Sequence, residues 1–155
     1  MVKRDNVRIC VPRYMQIGKG SLNQLPEIIR IIGSIKSLLI VTDKQMVKFG
    51  YVKKLQELLT KEGFKSNIFD ETIPDPTDTV VLNGIKILNK NKNDAVIGFG
   101  GGSPIDTAKA IAVLSQHSKN IQDYKPPGTF DKKSLPIIAI PTTAGTGSEV
   151  THHSV

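Results

Sequence analysis

The sequence predicts a doubly wound α/β fold, a mostly parallel sheet with helices on both faces. Three observations carry that prediction. Apolar runs of strand length recur at 37–43 (SLLIVTD), 66–70 (SNIFD), 94–100 (DAVIGFG) and 135–142 (LPIIAIPT). Stretches with apolar residues at helical spacing lie between them, so strands and helices alternate in βαβ units. The strands are also continuously apolar rather than alternating, as a parallel sheet covered on both faces requires.

Taken in order, RYMQIGKGS (13–21) predicts an edge strand. SLNQLPEIIRIIG (21–33) predicts a helix with Pro26 near its first turn and Gly33 as its stop. After the first core strand, KQMVKFGYVKKLQELLTKEG (44–63) reads as one helix, with Met46, Val47, Leu55, Leu58 and Leu59 near helical spacing. DPTDTVVLNGIKILNKN (75–91) opens on Asp, Pro and Thr as cap candidates and sets Val81, Ile85 and Leu88 on one face. SPIDTAKAIAVLSQH (103–117) predicts a helix with Ser103 as N-cap, Pro104 at the first position and Asp106 at the third, a variant of the capping box. QDYKPPGTFDKKS (122–134) is a long polar loop, and EVTHHSV (149–155) looks like the beginning of a strand.

A chain of 155 residues suits one domain, expected to span residues 1–155. With 39% apolar and 23% charged residues, it has the composition of a soluble globular protein and no apolar run of membrane-spanning length. Cys10 is the single cysteine, so no disulfide forms within the chain and a cytoplasmic location is expected. The net charge of +7 arises from 21 basic against 14 acidic residues. The lysines are scattered, without arginine clusters or interleaved aromatics, so the charge favours anions without pointing to nucleic acid or a membrane surface.

Parallel α/β sheets bind ligands outside the carboxyl ends of their strands. Here those ends carry Asp43, Asp75, the glycines of GFGGGS, and the threonines of PTTAGTGSEVT. Gly101 and Gly102 keep no side chain between backbone and ligand, and the N–H groups that open the next helix favour a phosphate or pyrophosphate. The competing reading is a tight turn merely capped by Ser103 and Asp106. GFGGGS is neither the usual dinucleotide fingerprint, having serine where G-x-G-x-x-G needs its third glycine, nor a Walker A loop. Asp43 suits the two hydroxyls of an adenosine ribose and would repel a 2′-phosphate, although an aspartate there also serves as a plain helix cap. Thr142, Thr143, Thr146, Ser148 and Thr151 offer hydroxyls for phosphate oxygens or a nicotinamide amide. His117, His152 and His153 do not have the spacing of a metal site.

GFGGGSPIDTAKAIA followed by PTTAGTGSEVT closely resembles the iron-containing (group III) alcohol dehydrogenases. YMQIGKGSLNQLPEI, LIVTDKQMVKFG and IPDPT fall in the order expected of that family's amino-terminal half. The resemblance implies a Rossmann-like NAD(P)-binding domain, followed by an all-helical domain whose aspartate and histidines hold Fe²⁺ or Zn²⁺ beyond the end of this chain. It implies ribose contacts for Asp43 and pyrophosphate contacts for Gly102, Ser103 and Asp106. Thr142, Thr143 and Thr151 would take the remaining phosphate and nicotinamide-ribose contacts. Asp75 stands where family members often have asparagine. NAD is expected over NADP because a carboxylate beside a 2′-phosphate is unfavourable. The intact enzyme, expected to be a homo-oligomer, would interconvert an alcohol and its aldehyde, with the 155-residue chain inactive alone. The rival expectations are a stand-alone nucleotide-binding or regulatory module without catalysis, and a scaffold piece that self-associates through uncovered apolar surface.

Overall fold

The computed structural model describes residues 12–117 and 133–151. A short 3-10 turn, Ser21–Gln24, leads into α1 (Leu25–Ile32). The order is then β1 (Ser37–Val41), α2 (Lys44–Lys48), α3 (Tyr51–Lys61), β2 (Lys65–Phe69), α4 (Asp78–Asn91), β3 (Ala95–Gly100), α5 (Gly102–Leu114) and β4 (Ile137–Pro141). Among the described residues the sheet has the strand order β2-β1-β3-β4, and every pairing is parallel.

Successive side chains of a strand point to opposite faces, and the core divides accordingly. Leu38 and Ile40 of β1 and Ile97 and Phe99 of β3 join Leu25 and Ile29 of α1, Met46 of α2, and Val52, Leu55 and Leu59 of α3. Leu39 and Val41 of β1 and Val96 of β3 turn the other way, onto Val81 and Leu88 of α4 and Ala108, Ile111 and Ala112 of α5. Each fully buried Leu, Ile or Val contributes about 1.5–3 kcal/mol relative to exposure. The two clusters are what fasten helices to both faces.

Gly98 lies on the α5 face. A Cβ there would stand 2.8 Å from the Ile105 Cα and 3.0 Å from the Ala108 Cβ. Glycine in the middle of β3 is therefore what lets α5 pack against the sheet. Among the described residues no helix is long and apolar enough to cross a membrane.

The structure corrects several local expectations. Residues 13–20 form no strand: Gly18 and Gly20 have φ of +136° and +80°, and the Ser21 and Asn23 N–H groups close turns onto the Gly18 and Gly20 carbonyls. The single helix expected over 44–63 is two, because Gly50 takes φ of +77° and acts as the left-handed N-cap of α3. The Ser103 capping box does not form. α5 starts one residue earlier, with Gly101 as an N-cap that offers no side-chain bond, and Pro104 is its third residue. Thr77 caps α4 by position but without a side-chain hydrogen bond. His117 lies beyond the end of α5, and residues 148–150 form a turn instead of opening a strand. The loop over 122–132, Cys10, His152 and His153 lie outside the described residues.

Candidate nucleotide-binding site

The chain runs from β1 outward to β2, then returns across β1 to β3 on its other side. This reversal makes a crevice between the carboxyl ends of β1 and β3, the switch point at which open α/β sheets take ligands. Asp43 follows β1 and Gly100 ends β3, so the two flank the crevice.

Asp43 does two things. Its Oδ1 accepts from the Gln45 and Met46 N–H groups, both at 2.9 Å, and so caps α2. Its Oδ2 accepts no hydrogen bond among the described residues and lies across from Gly100, 3.4 Å from where a Cβ would be. One oxygen of the side chain thus makes the helix cap, and the other stays open toward Gly100. Gly100 itself has φ of +150°, and a Cβ on it would also fall 2.8 Å from the Pro104 Cγ.

The opening of α5 is bare. Ile105 N–H is directed at the Gly101 carbonyl at 3.5 Å, Pro104 has no N–H, and no side chain caps the helix. The N–H groups of Gly102 and Ser103 are thus the first-turn donors without helical acceptors. The positive end of the helix dipole adds to their attraction for an anion. Ser103 makes no side-chain hydrogen bond among the described residues.

The second glycine-rich segment lies directly over the first. Thr142 N–H donates to the Gly100 carbonyl at 2.9 Å, continuing the β3–β4 ladder past its last strand residue. A Cβ on Gly101 would meet Thr143 Oγ1 at 3.3 Å. One on Gly102 would meet Ser148 Oγ at 3.2 Å and the Thr146 Cβ at 3.6 Å. Thr142, Thr143 and Thr146 are exposed. The two turns together form a cradle of glycine backbone beneath threonine hydroxyls.

Asp106 faces the second turn instead of capping the helix. Ser148 Oγ donates to its Oδ2 at 3.2 Å, and Lys109 Nζ donates to its Oδ1 at 3.0 Å and to Thr151 Oγ1 at 3.1 Å. The Lys109 and Asp106 side chains are only 12% and 13% exposed, so this pair clamps the turn to α5 under reduced solvent screening. Lys109 was not among the residues singled out from sequence. Its signal was the three-residue spacing from Asp106 on one helix face.

The structure brings Asp43, Gly101, Gly102, Ser103, Asp106, Thr142, Thr143, Thr146 and Thr151 to one edge of the sheet. Asp75 belongs to the loop after β2, is exposed, and has φ of +52° between two prolines. It makes no hydrogen bond or ion pair among the described residues, which also gather no group of three or more His, Cys, Asp or Glu side chains.

A parallel sheet with an uncapped, glycine-lined helix opening at its switch point is the architecture of doubly wound ligand-binding domains. The chain belongs to the iron-containing alcohol dehydrogenase family, whose model matches residues 12–155. It is 39% identical over 151 residues to long-chain-alcohol dehydrogenase 1 of Geobacillus thermodenitrificans, covering 96% of this chain and 38% of that protein. A solved 1,3-propanediol oxidoreductase superposes with a TM-score of 0.90 at 34% identity, over 97% of this chain and 39% of the other. A sulfoacetaldehyde reductase from Bifidobacterium kashiwanohense, solved in complex with NAD⁺, superposes with a TM-score of 0.84 at 36% identity, over 96% and 39%. The chain therefore spans about two fifths of the length of these relatives.

Proposed function

We propose that residues 1–155 are the NAD(P)-binding domain of a metal-dependent alcohol dehydrogenase, with NAD the preferred cofactor. The observation that carries this reading is the pair across the switch point: Asp43 Oδ2, open toward Gly100, beside the uncapped opening of α5. The residues fit the cofactor's parts. Asp43 Oδ2 is a hydrogen-bond acceptor for ribose hydroxyls and a repulsive neighbour for a 2′-phosphate. Without Cβ atoms, Gly101 and Gly102 let the threonine-rich turn close over the helix opening, where the Gly102 and Ser103 N–H groups would bind a pyrophosphate. Thr142, Thr143 and Thr146 offer hydroxyls to the remaining phosphate and the nicotinamide side, with Thr151 and Asp106 holding their turn in place. Asp75 would approach from the β2 side.

When bound, the nicotinamide ring exchanges hydride with the carbon of an alcohol or aldehyde. The residues of this chain bind and orient it. In the intact enzyme the reading extends to a small alcohol or aldehyde substrate, to Fe²⁺ or Zn²⁺, to a homo-oligomer and, from the single cysteine, to a cytoplasmic location. The 155-residue chain alone would bind cofactor without turnover.

The test is a titration of the 155-residue chain with NADH and, in parallel, NADPH. The cofactor's own fluorescence reports binding, since the protein has no tryptophan, and circular dichroism checks the fold. Saturable binding that favours NADH is expected. A folded chain that binds neither cofactor at millimolar concentration would overturn the reading.

A further inference from the structure

Two buried threonines at the carboxyl edge of the sheet take no part in the cofactor contacts proposed above. Thr42 is 0% exposed and Thr72 8%. Backbone pairing between β1 and β3 ends at Val41 and Gly98. One residue further, Thr42 Oγ1 donates to the Phe99 carbonyl at 2.8 Å, so a side-chain hydroxyl continues the link between the strands where the ladder stops. The Thr42 N–H donates to the Phe69 carbonyl at the end of β2, at 2.9 Å. The Thr42 carbonyl accepts from Thr72 Oγ1 at 2.6 Å. One residue is thus fastened to β2, to β3 and to the loop that follows β2.

The positions joined by the hydroxyl are informative. Thr42 immediately precedes Asp43, and Phe99 immediately precedes Gly100. The Thr42–Phe99 bond therefore ties together the two backbones whose separation decides how far Asp43 Oδ2 stands from Gly100. A valine at 42 would have the same outline and as strong a preference for strand, so packing alone does not account for the hydroxyl. A valine would also leave the buried Phe99 carbonyl without its partner.

We infer that Thr42 is a positioning residue that sets the gap between Asp43 and the glycine turn, and with it the preference for NADH over NADPH, while Thr72 holds Thr42 in register. This rests on the cofactor reading above. The hydroxyl touches no cofactor atom; it acts through Asp43.

The experiment compares NADH and NADPH dissociation constants for the parent chain, Thr42→Val, Thr42→Ser and Thr72→Val, with thermal unfolding measured alongside. Leu88→Val, in the last turn of α4 and outside the crevice, serves as a control that is destabilised without touching Thr42 or Asp43. Thr42→Val is expected to weaken NADH binding roughly tenfold while NADPH binding changes less, so that the preference collapses. Thr42→Ser should restore it, Thr72→Val should show the same loss to a smaller degree, and Leu88→Val should lower the melting temperature with the ratio unchanged.

If Thr42→Val keeps the parent's NADH/NADPH ratio, or if Leu88→Val shifts the ratio equally, the inference is wrong while the cofactor reading stands. If Thr42→Val does not fold, the Thr42→Ser and Thr72→Val ratios decide. A parent that binds neither cofactor sinks both.

Discussion

The two edges of the sheet are both polar, yet they treat their hydrogen-bonding groups differently. At the amino edge, Asp94 Oδ2 accepts from the Lys36 and Ser37 N–H groups at 2.9 and 3.0 Å. Asn93 Nδ2 donates to Ser37 Oγ at 2.8 Å and to Asn67 Oδ1 at 3.0 Å. Apart from the buried Asn93 Oδ1, which has no partner among the described residues, the groups there are spent on one another, and they stitch β1, β2 and β3 together. At the carboxyl edge Thr42 and Thr72 do the same stitching, but a second layer is left over: Asp43 Oδ2, the Gly102 and Ser103 N–H groups and the exposed threonine hydroxyls. A polar cluster that consumes its own donors and acceptors is mortar. One that leaves directed groups unspent at a switch point is what the cofactor proposal rests on.

Substitutions can break that contrast. The largest effect is expected from Gly102→Val, whose side chain would press on Ser148 and Thr146. NADH affinity should fall by about a hundredfold or more, with far-ultraviolet circular dichroism unchanged. Near-parental affinity would show that the cradle is not where the phosphates sit. Asp43→Ala should act on both accounts, costing about 1 kcal/mol through the lost cap of α2 and weakening NADH roughly tenfold while NADPH gains ground. Asp43→Asn separates the two, because its carbonyl oxygen can still cap while the charge facing Gly100 is gone. Urea unfolding should find it near the parent, and cofactor titration should find the discrimination relaxed.

The amino edge should respond the opposite way. Asp94→Ala removes an acceptor for two backbone N–H groups and is expected to cost about 1 kcal/mol in urea unfolding, with both cofactor constants within a factor of about two of the parent. A binding defect of tenfold would mean the two edges are coupled through the strands. The smallest effect is expected from Asp75→Asn. Both residues tolerate the left-handed conformation held at 75, so stability should move by no more than about 0.5 kcal/mol. A change in NADH affinity measured beside it would report whether the charge of Asp75 matters to the cofactor.

Much of this molecule was legible in the residues. The four core strands were found to within two residues at each end: β1 and β3 are buried apolar runs that few other elements imitate, while β2, with Lys65, Ser66 and Asn67, was marked by Ile68 and Phe69 and its place between helical stretches. The helix opened by GGGSPID was also found, but its first residue and the role of Asp106 were not. Local sequence offered Ser103 and Asp106 to each other, as in a capping box. In the fold, Ser148 and Lys109 reach Asp106 from 42 and three residues away and outcompete that local pairing. The break between α2 and α3 was missed because apolar residues keep helical spacing across Phe49 and Gly50, and only the positive φ of Gly50 shows that the axis turns.

The sequence by itself determined the class of fold, the order of the four core strands and the nearness of each candidate residue to a strand end, since apolar runs and glycine punctuation act over a few neighbours. Only the tertiary structure decided that β3 lies on the opposite side of β1 from β2, placing Asp43 and Gly100 across one crevice. It also decided which Asp43 oxygen is committed to the helix cap, and that Thr42 bridges to Phe99. The Thr42–Phe99 bond and the approach of Asp43 to Gly100 each join residues 57 positions apart, and no local preference encodes them. They follow from burying both faces of one sheet at once.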